Sequence, residues 1–254
     1  MLTNNNSSII DPYYSSGDFF NSSTGFKDAE FKVKELLSLL EHQKHEHELK
    51  IRRIADVGCG RGDTTIQLDK AFNNNTTNNV SIEGFDVYPE VMSISTTSPN
   101  VQFHYQDFCT LPENNELYDL VVLFDVIEHV PDPISFLKTV SKKTKAVALH
   151  IPLDNTWFGW LRLLPRTNLS HPGHLVILDV ASALNLLTFA GLRTRDFAFT
   201  PVFRAPSGKV TRAQRLLNPF RRLLYALNPY LLHKSLGGVS LIVVAHTPIG
   251  LETL

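Results

Sequence analysis

Ile54-Ala55-Asp56-Val57-Gly58-Cys59-Gly60-Arg61-Gly62-Asp63 is the stretch that decides the fold. An apolar run of strand type ends at an acidic residue, turns through alternating glycines and leads into a helical pattern from Thr64 to Phe72. A strand, a glycine turn and a helix in this order bring backbone N–H groups and a helix N-terminus up to a ligand. Glycine suits such a turn because it adopts positive φ and lets another group approach the backbone closely. The stretch therefore predicts a ligand-binding turn at the end of a buried strand.

The glycine spacing excludes two well-known kinds of turn. A dinucleotide site reads G-x-G-x-x-G, and a phosphate loop ends in Gly-Lys-Ser or Gly-Lys-Thr. Here the spacing is D-x-G-x-G-x-G, no lysine follows, and Asp63 stands where it would repel a phosphate.

The length and composition indicate a soluble globular chain of one or two domains, and α/β folds of this size are commonly single units. The 254 residues are 43% apolar and 19% charged, which leaves room for a large core. A net charge of −1 gives no broad field for nucleic acid, so a nucleic-acid partner is not expected. The two cysteines, Cys59 and Cys109, favour a reduced, cytoplasmic setting over a disulfide scaffold. The N-terminus lacks the pattern of a signal peptide, and no apolar run approaches the ~20 residues that span a bilayer.

Strand-like apolar runs alternate with helical patterns along the chain. The predicted strands are 51–57, 80–85, 101–105, 118–124, 145–151, 192–201 and 239–245, and the predicted helices are 28–40, 64–72, 133–141 and 179–190. This alternation is typical of a doubly wound, Rossmann-like sheet with helices on both faces.

Two acidic residues follow predicted strands. Asp86 ends the second strand, where a carboxylate can accept both hydroxyls of a ribose, although it could instead cap a helix before Pro89. Asp107 follows the third strand and could accept from an adenine amino group, with Phe108 supplying its backbone N–H and an apolar face.

The glycine turn and the acidic residues that follow the strands together resemble the motifs of class I S-adenosylmethionine-dependent methyltransferases. Asp56 to Gly62 is similar to the glycine motif, and Asp86 to the acidic residue that binds the ribose. The other matching segments are Gln106-Asp107-Phe108, Tyr118-Asp119-Leu120-Val121 and Glu128-His129-Val130. The resemblance covers roughly residues 50–200 and extends to the ubiquinone-type O-methyltransferases. It implies a seven-stranded sheet whose last strand is antiparallel, and S-adenosyl-L-methionine as the cofactor. The cofactor-binding residues that it implies are Asp56, Gly58, Cys59, Gly60, Gly62, Asp86, Val87, Asp107, Phe108, Phe124 and Asp125.

Histidines are the candidate catalytic residues. The methyl group of a sulfonium is already activated, so positioning supplies much of the rate. A hydroxyl acceptor also benefits from a base that titrates near neutral pH. His129 and His174 lie on the expected substrate side and are the predicted catalytic residues, whereas His150, within the fifth strand, is predicted to be a hydrogen-bonded core histidine.

A metal site is the alternative at the same place. Asp125-x-x-Glu128-His129 with His174 downstream resembles the E-x-x-E-H…H metal arrangement of small-RNA 3′-terminal 2′-O-methyltransferases. Asp125 departs from that pattern by one methylene, and "EHV" also occurs in methyltransferases without metal. We therefore predict no metal, and leave a metal-assisted RNA 2′-O-methyltransferase as an alternative that the near-neutral charge disfavours.

The expected domain organisation is a flexible arm over residues 1–25 followed by one methyltransferase domain over 26–254. Two apolar insertions, at about 152–175 and 203–236, are expected to form a lid. We predict that Trp157–Leu164 and Leu216–Leu227 pack against each other and shape an apolar acceptor pocket beside His129 and His174. The second insertion also reads as a basic amphipathic helix, so peripheral membrane contact is the alternative.

The predicted function is methylation of a small, partly apolar molecule on oxygen. A catalytically silent methyltransferase-fold binding protein is the alternative from another class.

Overall fold

The computed structural model describes residues 25–42, 49–74, 79–96, 98–113, 116–170, 173–205 and 212–252. The predicted arm over residues 1–25 lies outside the described residues apart from Gly25, where the first helix begins. Both cysteines, Cys59 and Cys109, are free thiols. Within the described ranges, no helix has the length and apolar character to cross a membrane.

A seven-stranded sheet forms the centre of the fold, in the order β3-β2-β1-β4-β5-β7-β6. β7 runs antiparallel to β5 and β6, and the other neighbours are parallel. This confirms the predicted fold class, including the antiparallel last strand. The strands are β1 Arg53–Val57, β2 Ser81–Asp86, β3 Val101–Tyr105, β4 Tyr118–Phe124, β5 Thr144–Pro152, β6 Arg193–Thr200 and β7 Ser240–His246.

Helices connect the strands and cover the sheet. They are α1 Gly25–His42, α2 Asp63–Asn73, α3 Pro133–Ser141, α4 Trp157–Leu161, α5 Leu164–Ser170, α6 Val180–Phe189, α7 Arg212–Leu227, α8 Pro229–Ser235 and α9 Pro248–Glu252. Single 3₁₀ turns occur at Pro89–Ser93, Phe108–Thr110, Ile127–His129 and Val202–Arg204. Caps fix the helix starts: Asp132 accepts from the backbone N–H of Ser135 at 3.0 Å ahead of α3.

The core lies on both faces of the sheet. Every residue of β4 is buried, because alternate side chains enter opposite layers. Val121 and Leu123 pack with α3 and α6, whereas Leu120 and Val122 pack with α1 and α2. The carboxyl ends of the parallel strands β1, β2 and β4 therefore meet at one edge of a sheet that helices cover on both faces.

Candidate active site

The glycine turn has the backbone conformation that its sequence predicts. Gly58, Gly60 and Gly62 have φ of +77°, +53° and +76°. The chain itself also requires two of these glycines. A Cβ on Gly58 would lie 2.7 Å from Cγ2 of Val126, and one on Gly62 would lie 2.7 Å from Cζ of Phe103. Packing of the protein, as well as any ligand, thus excludes side chains from the turn.

Asp86 holds the turn against the end of β2. Its Oδ2 accepts from the N–H of Gly60 at 2.7 Å, and its Oδ1 accepts from the N–H of Tyr88 at 2.9 Å. Burial raises the pKa of Asp86, although these backbone N–H groups oppose the rise. Val87, directly after it, is half exposed at the edge of the cleft. The carboxylate keeps further lone pairs for a ligand, because each oxygen can accept more than one hydrogen bond.

The side chains of Asp56 and Cys59 have structural rather than catalytic roles. The Thr65 hydroxyl donates to Oδ2 of Asp56 at 2.6 Å, which ties the end of β1 to the first turn of α2. Burial, together with the charge of Asp86, raises the pKa of Asp56 to about 7 despite the Thr65 hydrogen bond. Burial also raises the pKa of the Cys59 thiol far above its ordinary value, so this cysteine is not a nucleophile.

The segment that follows β3, with Asp107 and Phe108, differs from its prediction in one respect. Asp107 accepts from the N–H of Cys109 at 2.8 Å and so caps the 3₁₀ turn that follows β3. The ring of Phe108 is 1% exposed and packs edge-on against Phe85, with centroids 5.2 Å apart. The prediction that this ring offers a face to adenine is therefore wrong, because the core takes the whole ring. The proposed role of the Phe108 backbone N–H stays a prediction.

Asp125 directly follows β4 in an unusual backbone conformation and forms a partly buried charge network. Its φ is +55°, unusual for a residue with a side chain. Lys32 of α1 contacts its Oδ2, and Nδ1 of His150 lies 2.6 Å from its Oδ1. Burial alone would raise the pKa of Asp125, but Lys32 and His150 outweigh it and hold this pKa well below its ordinary range. The remaining ring nitrogen of His150 lies 2.9 Å from Oγ1 of Thr200, which confirms the prediction of a hydrogen-bonded core histidine.

Removing Lys32 is expected to destabilise the fold. Lys32→Met leaves Asp125 charged without its ammonium partner. Breaking a fully buried pair costs about 3–5 kcal/mol, and because the Asp125 side chain is 30% exposed and keeps its contact with His150, we expect a loss of about 1–2 kcal/mol. A depressed carboxyl pKa contributes stability above the unfolded-state value, about 3.9, and loses it as the pH falls below that. The difference from wild type in urea unfolding should thus be full at pH 7 and shrink below about pH 4. Lys34→Met, on the exposed face of the same helix, is the control; equal losses in both variants would contradict the role of Lys32.

The candidate catalytic histidines meet at the carboxyl end of β4. His129 belongs to the 3₁₀ turn after that strand, and its ring lies 5.0 Å from that of His174, centroid to centroid. The loop that carries His174 is fastened to the turn, since the N–H groups of Leu175 and Val176 donate to the carbonyl of Glu128 at 2.7 and 3.1 Å. The proximity predicted for the two histidines is confirmed.

Asp154 orients His174. Its Oδ2 lies 2.7 Å from Nδ1 of His174 and accepts from the side-chain amide of Asn168 at 2.8 Å. An ionised carboxylate can only accept, so Nδ1 of His174 carries the proton and Nε2 is left as an acceptor. This is the arrangement of an oriented general base.

Glu128 completes the cluster. Its side chain is 1% exposed, and neither carboxylate oxygen has a hydrogen-bond partner within the described residues. Burial and the negative charge of Asp125 raise its pKa well above its ordinary range. One ligand atom each from Glu128, His129 and His174 lies within 4.8 Å of the others, close enough to share a cation. Asp125, the first member of the predicted metal pattern, is instead engaged by Lys32 and His150.

Sequence reasoning missed two members of this site. Asp154 sits at the carboxyl end of β5, where an acidic residue after a parallel strand was an available signal. Lys32 gave no signal, because it reaches Asp125 from a helix 93 residues earlier in the chain.

The two apolar insertions meet, but they do not bury each other. One cavity is lined by Phe158 and Arg162 from the first and by Arg221 from the second, so the predicted proximity is confirmed. Trp157 and Leu216 are 70% and 74% exposed. The prediction that the apolar side chains of the two segments hide one another is therefore wrong, since these side chains face away from the cavity.

Comparisons with known proteins identify the family to which the chain belongs. The model of the family described as "Methyltransferase domain" matches residues 27–195. The ubiquinone biosynthesis O-methyltransferase of Hydrogenovibrio crunogenus is 27% identical in an alignment 170 residues long that covers 64% of this chain and 62% of that protein. The protein of the same name from Paracidovorax citrulli is 25% identical in an alignment 178 residues long that covers 61% of this chain and 71% of that protein. The chain thus spans a little under two thirds of the first of these relatives.

Solved structures share the fold. A putative methyltransferase from Bacillus halodurans has a TM-score of 0.54 and 16% identity over 83% of this chain and 99% of that one. Magnesium protoporphyrin IX methyltransferase from Synechocystis, crystallised with bound SAH, has a TM-score of 0.50 and 16% identity over 86% and 84% of the two chains. With the family model matching well over half of its length, the chain belongs to the methyltransferase domain family, within the class I S-adenosylmethionine-dependent methyltransferases.

Proposed function

We propose that this enzyme methylates a hydroxyl oxygen of a small, partly apolar molecule. The observation that carries the proposal is the Asp154–His174 pair, whose 2.7 Å contact leaves Nε2 of His174 able to accept a proton. A hydroxyl acceptor has a proton to lose on methylation, and an oriented imidazole is suited to take it. The relatives named as O-methyltransferases support oxygen as the acceptor atom.

The cofactor is proposed to occupy the cleft at the carboxyl ends of β1, β2 and β4. Its ribose hydroxyls would bind Asp86, and its adenine would lie against Asp107 and the backbone of Phe108. The glycine turn would approach the methionine portion, bounded by the end of β4. The residues proposed to form this site are Asp56, Gly58, Cys59, Gly60, Gly62, Asp86, Val87, Asp107, Phe108, Phe124 and Asp125. Asp56 and Asp125 would contribute by holding the backbone, since their carboxylates bond to Thr65 and to Lys32 and His150.

The residues of the chain have distinct tasks in the transfer. When bound, S-adenosylmethionine supplies an activated methyl group, so an in-line acceptor oxygen suffices for much of the rate. Nε2 of His174 would accept the proton of the acceptor hydroxyl, which prepares the oxygen to receive the methyl group. Asp154 keeps Nδ1 of His174 protonated and stabilises the imidazolium that results. His129 packs edge-on against His174, with the ring centroids 5.0 Å apart.

A metal-assisted variant of the same reaction is the second candidate. It is favoured by Glu128, a buried carboxylate without a hydrogen-bond partner within the described residues, next to two imidazoles. Oxygen and imidazole ligands suit a divalent cation, which would polarise the acceptor oxygen. The fit is incomplete, because Asp125 is held by Lys32 and His150 and supplies no fourth ligand. Loss of transfer on adding EDTA, restored by Mg²⁺ or Mn²⁺, would favour this variant over His174 as the base.

The insertions at about 152–175 and 203–236 are proposed to form the acceptor side of the site, and α7 a membrane-facing surface. Leu216, Phe220, Leu223 and Leu227 recur at helical spacing, and each is at least 59% exposed. Residues 155–178 and 197–251 carry nine Lys and Arg and no Asp or Glu, while the rest of the chain holds all 25 acidic residues. An apolar stripe beside uncompensated arginines is complementary to an anionic lipid surface.

Vesicle sedimentation tests this surface. We expect binding to phosphatidylglycerol vesicles that weakens with salt, and much weaker binding to phosphatidylcholine. Phe220→Glu should reduce it several-fold, whereas Phe189→Glu, an equally exposed apolar residue at the end of α6, should not. Equal effects of the two substitutions, or no preference for anionic lipid, would remove the membrane contact from the account.

Acceptor chemistry tests the proposed function itself. The protein is incubated with methyl-labelled S-adenosylmethionine and matched aromatic acceptors: a catechol, the corresponding aromatic amine and a short RNA. Transfer to the catechol oxygen alone is the expected result. Transfer only to the amine or only to RNA would overturn it, and cofactor binding with no transfer to a broad panel would favour the silent binding protein. The cytoplasmic setting stays a prediction.

A further inference from the structure

The cavity between the two insertions is not accounted for by the transfer chemistry. It lies under α4 and α7, where Phe158, Gly159 and Arg162 face Arg221, Gly237 and Gly238. Asp154 also lines it, and the same carboxylate orients His174 through the 2.7 Å contact. The cavity therefore adjoins the candidate catalytic pair.

Arg221 is turned into the protein from a helix that also packs Leu224 and Tyr225 against the core and leaves a second apolar stripe exposed. Only 8% of it is exposed, whereas Phe220, its neighbour on α7, is 63% exposed. One terminal nitrogen donates to the carbonyl of Leu236 at 3.1 Å and the other to the side chain of Asn218 at 3.4 Å. Nε is buried without a partner within the described residues. Since a guanidinium has five N–H donors, most of its donor capacity stays unused.

The chain makes room for this guanidinium without neutralising it. Gly238 has φ of +86°, and a Cβ there would lie 3.1 Å from Nε of Arg221, so a glycine is needed beside the side chain. Burial and the charge of Arg162 both lower the pKa of Arg221, and no carboxylate of the described residues opposes them. Asp154, the acid in the cavity wall, is already bonded to His174 and Asn168. A buried cation with unused donors and no anionic partner is costly unless a ligand completes it.

We propose that this cavity binds an oxyanion, a carboxylate or a phosphate, held by Arg221 and by Arg162 at the cavity wall. Planar guanidinium groups match the two oxygens of such a group. The oxyanion belongs to the methyl acceptor, a step that rests on the proposed function, because Asp154 joins the cavity to His174. An acceptor anchored there by its anionic end would present a hydroxyl to the base. The acceptor class is therefore a hydroxylated molecule with an apolar body and one oxyanion.

Anion-dependent thermal stability tests the site without requiring methyl transfer. Melting is followed in the full chain with sodium benzoate, with sodium phosphate and with sodium chloride at equal ionic strength. Ligand linkage predicts a higher Tm with benzoate or phosphate than with chloride. The salt that raises the Tm shows whether the bound oxyanion is a carboxylate or a phosphate.

Matched arginine variants localise the effect. Arg221→Gln should lose the anion-specific Tm rise, whereas Arg222→Gln, the exposed neighbour on α7, should retain it. Arg162→Gln should weaken the apparent affinity for the anion several-fold. Because Arg162 is exposed, this variant is expected to fold, and it tests the site even if Arg221→Gln does not fold. No anion-specific shift in wild type, or equal shifts in wild type and both the Arg221 and Arg162 variants, would overturn the inference. Oxygen methylation measured on a neutral catechol would be untouched by that outcome, so the two failures are distinguishable.

Discussion

Gly60→Val is expected to abolish binding of S-adenosylhomocysteine while the protein stays folded. Gly60 lies at the centre of the turn with φ of +53°, and its N–H donates to Asp86. A valine there disfavours this backbone conformation by about 1–2 kcal/mol and adds an isopropyl group where the ligand approaches. We expect an affinity loss of at least about 100-fold, or about 2.7 kcal/mol, in calorimetric titration.

A glycine remote from the site is the control for backbone strain. Gly191, after α6, has φ of +83°, and a Cβ there would meet no atom within 4 Å. Gly191→Val should therefore lose stability without losing affinity for S-adenosylhomocysteine. Undiminished affinity in folded Gly60→Val would show that the turn is not the cofactor site.

His174→Ala is expected to slow methyl transfer to a catechol by about 10²- to 10⁴-fold, the usual contribution of a general base. Cofactor affinity should not change, because His174 is placed on the acceptor side. Asp154→Asn should lower the rate through the same residue, since an amide can hold the wrong tautomer of the imidazole.

The control is His42→Ala, at an exposed position at the end of α1. Single-turnover rates with prebound cofactor separate the chemical step from binding. A rate within about twofold of wild type in His174→Ala would exclude the base, since general bases contribute far more than that.

Much of the fold follows from local pattern. The run from Tyr118 to Phe124 is apolar apart from Asp119, and such a run is typical of a parallel strand that is covered on both faces. The glycine spacing after Asp56 predicted the turn, and the structure gives all three glycines positive φ. Because the carboxyl ends of parallel strands share one edge, the meeting of His129 and His174 was also predictable.

The remainder depends on contacts that no local pattern encodes. Lys32 reaches Asp125 across 93 residues, and nothing in its own helix distinguishes it from Lys34. The orientation of α7 is ambiguous for another reason. The spacing of Leu216, Phe220 and Leu223 predicts an amphipathic helix but not which face turns inward. The structure buries Arg221 on the same side as Leu224 and Tyr225, which pack on the core, and exposes the apolar stripe.

A crystal structure with bound S-adenosylhomocysteine tests the placement of the reaction most directly. We expect the ribose hydroxyls to bind Asp86 and the glycine turn to surround the homocysteine portion. The sulfur atom should lie on the side of Glu128, His129 and His174. A ligand bound away from Asp86, or with its sulfur separated from these histidines by the sheet, would contradict the account.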